Sequence, residues 1–300
     1  MSLTALSKTT KINMPSVLEI IQKSSEFLSA RGVESSRLNA ELLIGHALEL
    51  KRMQLYLQFE RLLTESELEK IRPLIKRRSQ REPLQYIIGT VEFSGLKLKV
   101  DRRALIPRPE TELLVEKIVG LCVQKPLSVL DLGTGTGAIA LALAKAFVEA
   151  QVTAVDVSTE ALALAAENVL ASGFDHRVRL LNSAWFKGFT CEDRFELIAS
   201  NPPYLTDIET NAAAPEVRSH EPRSALVGGF DGLVDLREII TSALPFLAPG
   251  GLLALETGIA QHAELMALAA AHGFERIESG RDLTGRDRFI FAWKPGAGGA

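Results

Sequence analysis

The stretch of this 300-residue chain best suited to chemistry is Asn201-Pro202-Pro203-Tyr204. It follows Phe195-Glu196-Leu197-Ile198-Ala199-Ser200, an apolar run that reads as a strand ending in a small polar residue. A residue before proline is pushed out of the helical region, so Asn201 is expected to be extended. Prolines have no N–H, which leaves acceptors as the free backbone groups at Pro202 and Pro203. The Asn201 side-chain oxygen and the Pro202 carbonyl can then converge as two acceptors, with the Tyr204 ring beside them. That set suits a planar –NH2 group, which brings two donors and a face for stacking. Taken alone, the four residues read more simply as an X-Pro-Pro turn after a strand, and the rest of the chain has to decide.

A second candidate is Asp131-Leu132-Gly133-Thr134-Gly135-Thr136-Gly137-Ala138, which closes one strand-like run and opens a helix. Its glycines permit a tight turn and let a ligand approach the backbone. A dinucleotide site is one reading, because Gly133, Gly135 and Ala138 fit the loose G-x-G-x-x-A form. Asp156 ends the next strand, where an acid accepts both hydroxyls of a ribose in either kind of site. Asp131 favours the other reading. A carboxylate beside the loop repels a pyrophosphate but attracts the ammonium of a methionine moiety, whose carboxylate the helix N-terminus can take.

These residues need a sheet to hold them. Strands are expected near 127–131, 151–156, 177–181, 195–200 and 250–256, and helices near 137–149, 159–172, 234–247 and 260–272. The alternation predicts a parallel sheet covered on both faces. The last two strand-like pieces, 275–279 and 288–293, are too close for a helical crossover and should pair antiparallel. The first part of the chain is helical, with helices near 15–31, 36–50, 52–62 and 64–81, the last opened by a capping box at Thr64 and Glu67. Residues 86–106 switch to strand periodicity around Ser94-Gly95, a β-hairpin. The expected organisation is a disordered segment over 1–14, a helical domain over 15–85, a hairpin and linker over 86–109, an α/β domain over 110–294 and a mobile tail over 295–300. The basic run Lys76-Arg77-Arg78 reads equally as a solvated helix end or as a partner-binding patch.

Whole-chain composition sets limits. The formal net charge is −3, which argues against a long nucleic-acid duplex as the main partner. The two cysteines and five histidines lack the spacing of a metal site, so no metal is assigned, and so few cysteines suggest a reducing compartment. No signal-peptide pattern and no run near the ~20 apolar residues of a membrane span is visible, so a soluble cytoplasmic protein is expected.

Taken together, the Asp-Leu-Gly-Thr-Gly-Thr-Gly loop, Asp156 and Asn-Pro-Pro-Tyr resemble a class I S-adenosylmethionine-dependent methyltransferase acting on a planar nitrogen. Further segments narrow the resemblance. Ile106-Pro107-Arg108-Pro109-Glu110-Thr111-Glu112, His220-Glu221-Pro222-Arg223-Ser224-Ala225-Leu226, Gly228-Gly229-Phe230-Asp231-Gly232, Leu255-Glu256-Thr257-Gly258 with Gln261, and Gly285-Arg286-Asp287-Arg288 are similar to the HemK/PrmC family of release factor N5-glutamine methyltransferases. His220 is a departure, since the family more often has tyrosine before Glu-Pro-Arg.

The resemblance implies an α/β Rossmann-like fold with a mostly parallel seven-stranded sheet and an antiparallel C-terminal strand, preceded by a helical bundle and a hairpin. It implies S-adenosyl-L-methionine as cofactor and the glutamine of the Gly-Gly-Gln loop in class 1 release factors as substrate. Asp131, Gly133, Thr134, Gly135, Thr136, Gly137, Asp156, Trp185 and Asn201 are then the expected cofactor residues. Asn201, Pro202, Pro203, Tyr204 and Leu105 are the expected substrate residues, and catalysis falls to Asn201, Pro202 and Tyr204. Trp185 reads either as an adenine contact or as a core tryptophan, and Arg108 and Glu110 either as a structural ion pair or as ligand contacts. A monomer without stable nucleic-acid or membrane binding is expected. An adenine-N6 methyltransferase of nucleic acid remains the alternative.

Overall fold

The structure, a computed structural model, describes residues 14–296. The segments expected to be disordered or mobile over 1–13 and 297–300 lie outside the described residues. The chain divides after Ile88 into two compact units.

The first unit is helical: α1 (Val17–Ser29), α2 (Ser36–Leu48), α3 (Arg52–Tyr56), α4 (Glu65–Ser79) and α5 (Leu84–Ile88). Capping boxes start α1 and α4: Ser16 pairs reciprocally with Glu19, and Thr64 with Glu67, as the sequence predicts for the second. Ile21, Leu28, Leu43, Ile44, Leu55 and Leu63 form its core. Glu41, 1% exposed, is held by Arg37, Arg52 and Tyr56. The basic run is largely committed within the unit. Arg77 makes two bonds to the Glu82 carboxylate, and buried Arg78 donates to Asn39 Oδ1.

The second unit begins with a hairpin. β1 (Thr90–Phe93) and β2 (Leu96–Lys99) pair antiparallel across Ser94 and Gly95, whose φ angles of +48° and +67° are those of a tight two-residue turn. This hairpin was expected to belong to a linker. Instead Phe93 and Leu98 enter the core beside Leu114 and Ile118, and the Asn168 side chain pairs with both the N–H and the carbonyl of Lys99. Burying two large side chains outweighs the freedom a linker would keep.

Then follow α6 (Pro109–Leu121), β3 (Ser128–Leu132), α7 (Ala138–Ala146), β4 (Gln151–Asp156), α8 (Thr159–Ser172), β5 (Val178–Asn182) and β6 (Phe195–Ser200). Next come the short α9 (Asp207–Ala212) and α10 (Pro215–His220), then α11 (Val234–Ala243), β7 (Leu247–Glu256), α12 (His262–Ala271), β8 (Arg276–Arg281) and β9 (Asp287–Trp293). The seven-stranded sheet runs β5-β4-β3-β6-β7-β9-β8, parallel through β7, with β9 antiparallel to both neighbours. Strand alternation divides the core in two. Val129, Leu197, Leu252 and Ala254 face one layer, while Leu130, Ile198, Leu253 and Leu255 face the other. Strand order reverses between β3 and β6, and a ligand site is expected beyond the carboxyl ends of these strands.

Candidate active site

A cavity of about 340 Å³ lies at that reversal, walled by the loop after β3, the end of β4, the segment after β5 and the loop after β6. Gly133 and Gly135 have φ of +71° and +55°, the left-handed region that favours glycine. A Cβ on Gly133 would sit 3.3 Å from the Trp185 ring, so the bare backbone and the indole share one wall. Asp156 ties the loop to β4, with Oδ2 accepting from the Gly135 N–H and Oδ1 from the Ser158 N–H, both at 2.9 Å. Burial pushes its carboxyl above the ordinary range, against the pull of those N–H groups. Thr134, Thr136, Asp156, Trp185, Asn201 and Pro203 all line the cavity. Trp185 itself has φ +48°, bonds to the Asp235 carboxylate and packs against the core. The tryptophan is thus core on one side and cavity wall on the other.

Two expected cofactor residues sit elsewhere. Asp131 is closed to solvent and forms no part of the wall. Its Oδ2 accepts from Thr134 Oγ1 (2.6 Å) and the Ala140 N–H (3.0 Å), while Oδ1 has no partner among the described residues. Burial raises its carboxyl to about 7. Asp131 thus braces the loop from its buried side instead of meeting an ammonium directly. Gly137, φ +84°, caps α7 and lies against Ala165, so it shapes the turn without lining the cavity.

A second cavity of about 230 Å³ shares Leu105, Arg108, Asn201 and Ala225 with the first. Pro202, Tyr204, Leu205, Ala213, Val217 and Leu226 complete it, so α10 and the turn that leads into it supply part of its wall. Asn201 stands where the two cavities meet. Its Nδ2 donates to Thr111 Oγ1 at 3.0 Å, Thr111 donates to Glu256 Oε2 at 2.7 Å, and the Tyr204 hydroxyl donates to Glu256 Oε1 at 3.1 Å. Among the described residues nothing donates to Asn201 Oδ1 or to the Pro202 carbonyl. Burial first, and then the nearby Glu256 charge, raise the Tyr204 phenol, so it stays a neutral donor. Arg108 pairs with Glu221, not Glu110, and Glu221 is itself pushed up by burial. Behind the loop, Gln261 Nε2 bonds the carbonyls of Tyr204 and Gly232. Leu105 lines both cavities, whereas Ile106 is buried. No cluster of His, Cys, Asp and Glu among the described residues is arranged to hold a metal ion.

A PrmC N-terminal domain model matches residues 19–89, and a methyltransferase small domain model matches residues 109–227. A release factor glutamine methyltransferase of Geobacter sulfurreducens is 41% identical over 282 residues, covering 94% of this chain and 98% of the relative. The chain belongs to the release factor glutamine methyltransferase family. A second such methyltransferase, of Nitratidesulfovibrio vulgaris, is 37% identical over 275 residues, 91% of this chain and 93% of its own length. A solved methyltransferase from Pyrococcus furiosus is alike in fold alone, at 21% identity and a TM-score of 0.50, covering 67% of this chain and 90% of that one.

The sequence reading assigned no individual role to Thr111, Glu256, Glu221 or Gln261, and it paired Arg108 with Glu110 where the structure pairs it with Glu221. Glu256 did carry a signal: it is an acid closing Leu252-Leu253-Ala254-Leu255, a run buried on both faces, where a charge is costly without partners.

Proposed function

We infer that the protein transfers a methyl group from S-adenosyl-L-methionine to the side-chain amide nitrogen (N5) of a release factor glutamine, the one in the Gly-Gly-Gln motif of class 1 factors. The observation that carries this reading is the pair of unbonded acceptors, Asn201 Oδ1 and the Pro202 carbonyl, where the two cavities meet. The first cavity fits the cofactor in size and chemistry. The Asp156 carboxylate suits two ribose hydroxyls, the Gly133–Gly135 backbone admits close approach, Trp185 offers a flat wall, and the loop's Thr134 and Thr136 line the far side. Bound there, the cofactor supplies an activated sulfonium methyl group.

The chain's own residues provide position and charge. An amide nitrogen is a poor nucleophile because its lone pair is delocalised into the carbonyl. Asn201 Oδ1 and the Pro202 carbonyl take its two hydrogens, so the nitrogen is aimed toward the first cavity. Both acceptors also oppose the positive charge that grows on nitrogen, and they strengthen as it grows. Tyr204, held by Glu256, walls the amide pocket beside Pro202. Leu105, Val217 and Leu226 exclude water around the apolar part of the glutamine. A strong general base is not required, since an N-protonated amide loses its proton readily.

No helix among the described residues is long and apolar enough to cross a membrane. The cytoplasm, a monomeric state and the absence of stable nucleic-acid binding belong to this proposal, as does a recognition role for the helical unit. The relatives' names favour a glutamine amide over an adenine amine as acceptor.

The test is to incubate the protein and cofactor with intact release factor and map the product by peptide mass spectrometry. One added methyl on the Gly-Gly-Gln glutamine is expected. Methylation of an adenine-containing oligonucleotide with none on the release factor would overturn the reading.

A further inference from the structure

The Asn201 amide has two ends of opposite character, and only its oxygen can receive an –NH2 donor. What decides which end faces the acceptor lies two bonds away. Glu256 is 1% exposed, and its oxygens accept from the Tyr204 and Thr111 hydroxyls. Burial pushes the Glu256 carboxyl up, and the Thr111 and Tyr204 hydroxyls and the Arg288 charge oppose that push. With both of its oxygens accepting, the single hydroxyl hydrogen of Thr111 is committed to Glu256 Oε2. The side of Thr111 Oγ1 that faces Asn201 is therefore a lone pair, which needs a donor. Asn201 meets it with Nδ2 at 3.0 Å. Turning the amide over would set Oδ1 against that lone pair, acceptor against acceptor. Thr111 is 4% exposed, so water has little room to relieve the mismatch.

We propose that Thr111 and Glu256 are positioning residues for methyl transfer, a polarity lock that holds the Asn201 amide in the orientation presenting Oδ1 to the acceptor nitrogen. The inference rests on the glutamine methyltransferase reading and deepens it. The lock draws on three separate elements: Thr111 in the first turn of α6, Glu256 at the end of β7, and Asn201 after β6. The same chain polarises the amide. A hydroxyl donating to a carboxylate is a better acceptor, which draws the Asn201 N–H and enriches its carbonyl oxygen. The oxygen that faces a nitrogen gaining positive charge is thereby made more negative.

The experiment compares wild type with Thr111→Val, which keeps the shape but removes the hydroxyl, and Thr111→Ser, which restores it. Two readouts are taken. The first needs no substrate: in 15N-labelled protein the Asn201 Nδ2 protons should show one bonded, slowly exchanging member, lost in Thr111→Val and regained in Thr111→Ser. The second is steady-state methylation of release factor. Thr111→Val should lower kcat by about 100-fold while KM and S-adenosylhomocysteine affinity stay within about threefold, and Thr111→Ser should recover most of the rate. Glu256→Gln, which can offer an N–H to Thr111, should also lower kcat. The inference is overturned if Thr111→Val keeps wild-type kcat, if Ser and Val are equally slow, or if the Asn201 protons are unchanged. A wild-type protein that fails to methylate release factor refutes the functional reading instead, and the Asn201 resonances still decide the lock.

Discussion

Replacing Asp156 by Asn removes one charge at nearly constant shape, and the structure sets the size of the effect. Each Asp156 oxygen already accepts one backbone N–H, from Gly135 and from Ser158. Asparagine keeps one acceptor oxygen and turns an –NH2 toward the other N–H. One part-buried backbone donor then faces a donor, at a stability cost of about 1 kcal/mol. Cofactor binding loses more specifically. The remaining lone pairs of Asp156 face the cavity and suit two ribose hydroxyls, each a charge-assisted bond. Losing the charge and one acceptor is expected to cost about 1.5–3 kcal/mol, or about 10–150-fold in affinity. The assay is calorimetric titration with S-adenosylhomocysteine near neutral pH, with urea unfolding of the same sample confirming that it is folded. A folded Asp156→Asn protein that binds within about threefold of wild type would refute the ribose role.

Asp131 has a pH signature. Its folded carboxyl, raised to about 7, lies above the unfolded value of 3.8. Between the two the folded state holds a proton that the unfolded state lacks, so this stabilisation is present in acid and is lost as pH rises through about 7. The span corresponds to up to about 4 kcal/mol, and Asp131→Asn, neutral throughout, should flatten the urea-unfolding slope over that window; an unchanged slope would contradict it. Asn201→Ala should abolish turnover while the fold persists, read as loss of kcat with the circular dichroism spectrum unchanged; near-normal turnover would remove Asn201 from the mechanism. Deleting residues 1–88 should leave a folded catalytic unit, since each unit has its own core. Its kcat/KM on intact release factor should fall by orders of magnitude while activity on a short Gly-Gly-Gln peptide changes far less; equal losses on both would count against recognition by the helical unit.

Much of this was legible in the sequence because the strands are short apolar runs bounded by glycine, proline and polar residues. The strand after Leu127, the ends at Asp156 and Ser200, and the antiparallel closing pair fall within a few residues of expectation. α9 and α10 escaped notice. They are one and a half turns each, mostly polar, and stabilised locally, although Thr206 and Glu209 form a capping box that the residue pattern contains. Asp131 was misjudged because proximity in sequence does not give direction. In β3, Leu130 and Leu132 face one core layer, so Asp131 shares the face of Val129 and is carried into the layer covered by α7. The Thr111–Glu256 contact spans 145 positions of chain, and only the folded register of α6 against β7 brings the two together.

The glycines behind the catalytic loop have a consequence for its motion. A methyl group added at Gly228 would fall well inside contact with the Pro203 carbonyl, and one at Gly232 inside contact with that of Tyr204. The Asn-Pro-Pro-Tyr segment is thus backed by bare main chain pressed on main chain, with two pyrrolidine rings fixing φ from within. Surfaces of that kind have no rotamers to populate. Side-chain supports spread among their wells as temperature rises, whereas this backing has no such states to gain. The placement of the main-chain acceptor, the Pro202 carbonyl, should accordingly drift little on warming, until the sheet that carries it begins to unfold.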